Sequence, residues 1–284
     1  MVMRLISSVK MAFPCGKFDE RPFSMNKKRQ QAGGQSPLMV KSVEKAFSVL
    51  GAFDGDRTCL TLSELARILG IDKSTAQRFT FTLEQLGYLE KDAVHKAYSL
   101  TSKNLNSAHA YMKGNRIISA AIPFLQHIHR ETGETVNMSV LEGTEVRFVM
   151  RLLGNHILST DVVIGSRLPA YCTASGLTML SFLNDEVARS ILSASDLRKY
   201  TSDTLTDLND IMAERAIVRQ RGYALNYSGY FSDDISVAAP ILRMDGYPIA
   251  AISIGVSSTR FSLDSAEASF APYLQAATRA ISIS

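Results

Sequence analysis

Five polar residues, Lys73, Ser74, Thr75, Gln77 and Arg78, fall within one short stretch of the chain. Their combined chemistry is that of nucleic-acid readout. Glutamine can pair with adenine and arginine with guanine, while lysine or a hydroxyl can hold a phosphate. Such residues need an element that carries them into a groove. Residues 61–83, TLSELARILGIDKSTAQRFTFTL, predict two short helices joined by a tight turn. Thr61 and Glu64 form a capping box, and Leu62, Leu65, Ala66 and Leu69 follow as one apolar stripe. Gly70 ends the first helix, Ile71 fills the turn, and Asp72 caps the second helix. In that second helix Ala76, Phe79 and Leu83 face inward and the polar residues face out. The pattern predicts a helix-turn-helix whose second helix meets base edges in the major groove. The same residues also fit a plain amphipathic helix hairpin with a solvated face.

The flanks favour the first reading. Upstream, Val43, Ala46, Phe47 and Leu50 form a stripe that predicts a third helix closing the core. Downstream, GYLEKDAVHKAYSL predicts a hairpin after Gly87, with Asp92 to Lys96 in its turn. Three helices and this hairpin make a winged helix-turn-helix. Lys91, His95 and Lys96 then become wing residues available to phosphates or the minor groove.

Composition sets the limits. At 284 residues two domains are expected, and 46% hydrophobic residues suffice for their cores. No apolar run is long enough to span a membrane. Cys15, Cys59 and Cys172 are scattered and odd in number, which predicts a reducing, cytoplasmic compartment without a disulfide framework. Neither CxxC nor HExxH occurs, and His127 and His129 diverge on a predicted helix, so no metal or other cofactor is expected. The net charge is +4, yet residues 1–36 carry a net +5, leaving −1 for the rest. DNA affinity must therefore rest on local placement of charge. Residues 26–38, NKKRQQAGGQSPL, predict disorder, and Met25 resembles a start of translation.

Residues 103–131 predict helix with a break at Pro123. Beyond them TVNMSVLEG, EVRFVMRLL and DVVIGSRLP predict strands. Helices follow at 174–183, 185–192 and 207–221. ISVAAPIL and YPIAAISIGV predict a hairpin around Asp245 and Gly246, and a last helix covers 264–281. This order predicts an α+β domain with an antiparallel sheet.

KSVEKAFSVLGAF, the helix-turn-helix stretch, ETVNMSVLEG, GSRLPAYCTASG, RGYALN and ISVAAPI occur in this order. Together they resemble the IclR family of bacterial transcriptional regulators over residues 40–280. The resemblance implies a winged helix-turn-helix, a linker helix, and an effector-binding domain with a profilin- or GAF-like sheet. It implies homodimers or tetramers on a (pseudo)palindromic double-stranded DNA operator, and a small organic acid as effector. The boundaries expected are a basic extension over 1–38, the DNA-binding domain over 39–101, the linker over 102–120 and the effector domain over 121–284.

The resemblance also implies a pocket. Ala174 and Ser175 match positions whose backbone amides hold the ligand carboxylate, and a helix N-terminus is an anion site on physical grounds alone. Asn226, Ser236 and Ser253 match pocket positions, and Gly255 replaces a second serine. Leu177 stands where the family carries a basic residue, and the wing turn lacks the usual glycine. Arg151 and Arg167 are candidates for a second contact to an acid, or equally for structural ion pairs. RLPAYCT is most like regulators of aromatic-acid breakdown. Two other readings stay open: a ligand sensor acting through protein partners, and an enzyme using Cys172, Thr173 or Ser175. Against the enzyme, no histidine is near in sequence and the serine is not in a GxSxG elbow, so no catalytic residue is expected.

Overall fold

The computed structural model describes residues 38–156 and 162–282. The expectations for residues 1–37, including Cys15 and the start at Met25, lie outside them. The chain divides into two compact units between Ala110 and Tyr111.

In the first unit, α1 (Lys41–Leu50), β1 (Cys59–Thr61), α2 (Leu62–Leu69), α3 (Lys73–Gln85), β2 (Leu89–Lys91) and β3 (Ala97–Leu100) follow in order. The capping box of Thr61 and Glu64 starts α2, and Gly70 ends it at φ +63°. Such a cap contributes about 1 kcal/mol. The β1 strand, unforeseen because it is three residues long, pairs with β3 beside β2, in the order β1-β3-β2. Val49, Ala52, Phe53, Leu60, Leu65, Leu83, Leu89 and Tyr98 form the core.

The expected inner stripe of α1 is corrected. Val43 and Phe47 are exposed, at 51% and 69%. Ala46, Val49, Leu50 and Phe53 have the same helical spacing. The core takes this second stripe, which brings in Val49 and Phe53.

The break expected at Pro123 is also corrected. Helix α4 (Leu105–Gly114) ends at Asn115, and α5 (Arg116–Thr132) runs through Pro123. Asn115 Oδ1 accepts from the amides of Ile117 and Ile118, at 3.0 and 3.2 Å, and so starts a new helix. Proline removes one helical hydrogen bond, but burial of Ile118, Ala121, Leu125 and Ile128 holds α5 together across it.

The second unit is built on β4 (Thr135–Glu142), β5 (Glu145–Leu152), β6 (Arg167–Pro169), β7 (Ala224–Tyr227), β8 (Asp234–Leu242) and β9 (Pro248–Ser257). All pairings are antiparallel, in the order β6-β5-β4-β9-β8-β7. The strand expected from DVVIGSRLP is only Arg167–Pro169. Gly165, at φ +95°, turns the chain before it, and its amide donates to Phe148 O at 2.7 Å. The β7 strand was not foreseen, because ALNY is too short to show a period.

Strand alternation gives the sheet two different faces. Ile235, Val237, Ala239 and Ile241 of β8, with Ile252, Ile254 and Val256 of β9, pack under α5 and α9 (Leu263–Ser282). Ala238 and Ala251 belong to the opposite core, under α6 (Ala174–Phe182), α7 (Asp185–Ala194) and α8 (Leu208–Arg221). Asp234, Ser236, Ser253 and Gly255 share that parity.

Candidate functional site

The exposed face of α3 carries Lys73, Ser74, Gln77 and Arg78, with Thr75 half-buried. The Ser74 and Thr75 hydroxyls each donate to the Asp72 carboxylate at 2.6 Å, and the Thr75 amide donates to it at 2.8 Å. These bonds, that from Ser74 foremost, hold the Asp72 carboxyl well below the usual range. Ser74 and Thr75 thus shape the helix start, while Lys73, Gln77 and Arg78 project beyond it.

In the wing, Asp92 organises the turn. Its carboxylate accepts from the amides of Val94 and His95, at 2.7 and 3.1 Å, and lies 3.1 Å from His95 Nδ1. The His95 side chain is the main reason that the Asp92 carboxyl is lowered to about 2. Lys96 takes the left-handed conformation, φ +53°, that a glycine would otherwise supply. Lys91 Nζ lies 5.3 Å from the centre of the Tyr98 ring. Lys91, His95 and Lys96 therefore sit at or beside the wing tip.

The second unit holds a cavity of about 530 Å³, including its mouth to solvent. Ala174, Ser175, Asn226, Ser236, Ser253, Gly255 and Arg151 all line it. Strand register explains their convergence. Arg151 of β5 is opposite Asn137 of β4, which is opposite Ser253 of β9. In the next row Gly255 is opposite Ser236, which is opposite Asn226. Arg167 is elsewhere, its guanidinium 3.3 Å from Glu142 and 3.6 Å from Glu145. Leu177 is buried in the core beneath α6.

The sequence reading missed Asn137, Phe148, Tyr230, Phe231 and Asp234, which also line the cavity. Asp234 had a visible signal, since it precedes Ser236 by one strand period. Tyr230 and Phe231 come from an irregular loop with no pattern to read. Their rings meet edge to face with centroids 4.7 Å apart. The loop is tied down where Thr204 Oγ1 donates to Gly229 O at 2.9 Å and Thr201 Oγ1 donates to Ser228 O.

Helix α6 aims its N-terminus at the cavity. The Thr173 hydroxyl accepts from the Gly176 amide at 3.3 Å. The amides of Ala174 and Ser175, in the first turn, have no acceptor within the helix. Gly176 permits close packing of this turn, because a Cβ there would lie 2.1 Å from Ala170 O. Thr178 Oγ1 pins α6 to the sheet, donating to Ala238 O at 2.9 Å and accepting from the Ala224 amide at 3.1 Å. At the other end Arg215 donates to the carbonyls of Leu180 and Leu183, at 2.9 and 3.2 Å. Its positive charge suits a helix C-terminus.

Burial pushes the Cys172 thiol up to about 12, which disfavours the thiolate form near neutral pH. His129 Nδ1 lies 3.0 Å from Glu134 O, and His127 Nδ1 lies 3.8 Å from Glu131. Among the described residues no group of His, Cys, Asp and Glu is placed to hold a metal, and no helix is long and apolar enough to cross a membrane.

Asp234 retains some solvent contact but is closely surrounded by protein, and desolvation raises its carboxyl to about 6. A 2.7 Å bond from Ser236 Oγ and the charge of Arg151 oppose the rise without cancelling it. The folded state therefore holds this proton more tightly than the unfolded chain, whose carboxyl stays near 3.8. The contribution to stability is complete below about pH 4 and is lost as pH rises to about 6. Asp234→Asn should accordingly be more stable than wild type at pH 7.5, by on the order of 3 kcal/mol. The difference should shrink to about a third of that at pH 4.5. Thermal denaturation of both proteins at the two pH values measures it, and a pH-independent difference would contradict the assignment.

Comparison with known proteins places these features in a family. Residues 42–93 match the IclR helix-turn-helix domain, and residues 109–283 match the bacterial transcriptional regulator IclR C-terminal domain. The chain is 31% identical to the Pca regulon regulatory protein of Pseudomonas putida, over 89% of this chain and 86% of that one. A transcriptional regulator from Rhodococcus sp. RHA1 superimposes with a TM-score of 0.77 at 28% identity, covering 86% of this chain and 98% of that one. An IclR homologue from Microbacterium hydrocarbonoxydans, solved as a complex with 4-hydroxybenzoate, gives 0.72 at 26% identity, covering 85% and 98%. The chain belongs to the IclR family: it is a DNA-binding transcriptional regulator with a small-molecule-binding C-terminal domain, and not an enzyme.

Proposed function

We propose that this regulator reads its operator with Lys73, Ser74, Thr75, Gln77 and Arg78 of α3 and with Lys91, His95 and Lys96 of the wing. A ring-bearing carboxylic acid in the C-terminal cavity controls that binding. One observation carries the effector class. The first-turn amides of Ala174 and Ser175 open on the same cavity as Phe148, Tyr230 and Phe231. The helix end suits a carboxylate, and the rings suit an apolar, planar body. The Microbacterium relative solved with 4-hydroxybenzoate supports the same class.

Oligomer formation belongs to this reading. A single winged domain reads few bases, so pairing on two half-sites supplies specificity. The outer face of α1, with Val43 and Phe47 next to exposed Leu38, Met39 and Val40, is an apolar patch suited to a second copy.

Gln77→Ala should reduce discrimination at one or two base pairs by about 1–3 kcal/mol. Lys73→Ala should weaken binding on all sequences and flatten its salt dependence. Wild-type affinity and salt slope for both variants would remove α3 from the groove. Light scattering should show a dimer or tetramer, shifted towards monomer by Phe47→Glu. Wild-type protein that stays monomeric at micromolar concentration, with and without DNA, would defeat the pairing. Ser253→Leu should fill the cavity floor, abolishing the heat of acid binding in calorimetry and leaving operator binding intact. Unchanged acid binding by this variant would displace the site.

A further inference from the structure

One polar group in the cavity has no task in holding a carboxylate. Asp234 begins β8 and faces the same side of the sheet as Ser236. Its Oδ2 accepts from Ser236 Oγ at 2.7 Å, and its Oδ1 accepts from no donor among the described residues. A carboxylate has about four acceptor positions, so this one keeps capacity to spare inside a cavity wall.

Its surroundings define what it can accept. Asp234 and Arg151 stand at diagonal corners of the cavity floor, with β4 and β9 between their strands. Gly255 lies between the corners and leaves the floor open. Arg151 Nη1 donates to Asn137 Oδ1 at 3.0 Å, and its charge and that of Asp234 act on each other. The amides of Ala174 and Ser175, at the start of α6, can receive a ligand anion. An acid bound there leaves Asp234 facing the rest of the ligand.

We propose that Asp234, supported by Ser236, selects an effector that carries a hydroxyl in addition to its carboxylate, the hydroxyl donating to the Asp234 carboxylate. This inference rests on the acid-binding reading of the cavity and narrows it to hydroxy acids. The physical reason is the cost of stranding an acceptor. A ligand without a donor displaces water from Asp234 and returns nothing, so a site built around a hydroxyl rejects the analogue lacking it. A ligand with a second carboxylate at this place meets a like charge. A phenolic hydroxyl keeps its proton near neutral pH and remains a donor, and a bond to a charged acceptor is roughly twice as strong as one to a neutral acceptor.

The test is calorimetry on the full chain with benzoate, 3- and 4-hydroxybenzoate and benzene-1,4-dicarboxylate, alongside propanoate and lactate. In wild type at least one hydroxybenzoate should bind about tenfold or more tightly than benzoate, and the dicarboxylate no more tightly than benzoate. Asp234→Leu should bring benzoate and that hydroxybenzoate to within about twofold, while its thermal transition and operator binding report that it folds. If it does not fold, Asp234→Asn replaces it, and the preference should then fall by about threefold or more because the acceptor is neutral. Equal binding of benzoate and both hydroxybenzoates in wild type, or a preference unchanged in the variant, overturns the inference and leaves the ring-acid reading standing. Binding of lactate over propanoate with no aromatic acid bound overturns the ring and keeps the hydroxyl. Failure of every acid overturns both.

Discussion

The alternation of β8 and β9 is the constraint on which the C-terminal unit depends. Each strand presents a continuous apolar row to α5 and α9 and a mixed row to α6. A slip of one residue would turn Ile235, Val237, Ile252 and Ile254 towards α6 and the cavity and drive Asp234 and Ser236 into the apolar core under α5 and α9. The register between Ser236 and Gly255 and between Ala238 and Ser253 is thus enforced by the hydrophobic effect acting on the far face of the sheet. The cavity inherits its precision from a core that it does not touch.

Helix α6 closes over this floor and forms a wall of the cavity. Its length is fixed at one end by Thr173 and at the other by the guanidinium of Arg215. Its height above the sheet is fixed by Thr178, whose hydroxyl bridges backbone groups of β7 and β8. A helix held at three points is a rigid carrier for first-turn amides, and rigid donors lose little entropy when a ligand arrives. The cost lies in the groups packed around it. Cys172 and Asp234 are both pushed towards their neutral forms, a sign of how much water the fold has displaced here.

The N-terminal unit reaches its function by different means. Its three-stranded sheet is small, and its helix ends are set by local polar bonds: Thr61 with Glu64, and Asp72 with Ser74 and Thr75. These interactions work over three or four residues and need little from the rest of the chain. They leave the outer faces of α1 and α3 available for contact with other molecules, one apolar and one polar.

That difference in range explains what the sequence determined by itself. The helix-turn-helix was legible because caps, glycine stops and 3.6-residue stripes are local signals. Residues at Ala174, Ser175, Asn226, Ser236 and Ser253 were legible through family resemblance, and their convergence followed once the strands paired. Tertiary structure alone decided the rest. Two apolar stripes of α1 have equal spacing, and only the packed core chose the one with Val49. Pro123 reads as a break, yet burial on both sides carries α5 through it, and Asn115 makes the break instead. The alternation of β8 puts Asp234 on the face of Ser236, but it does not say what that face meets. Only strand register and the desolvating wall place it in a cavity, because burial is a property of distant segments brought together and no local pattern encodes it.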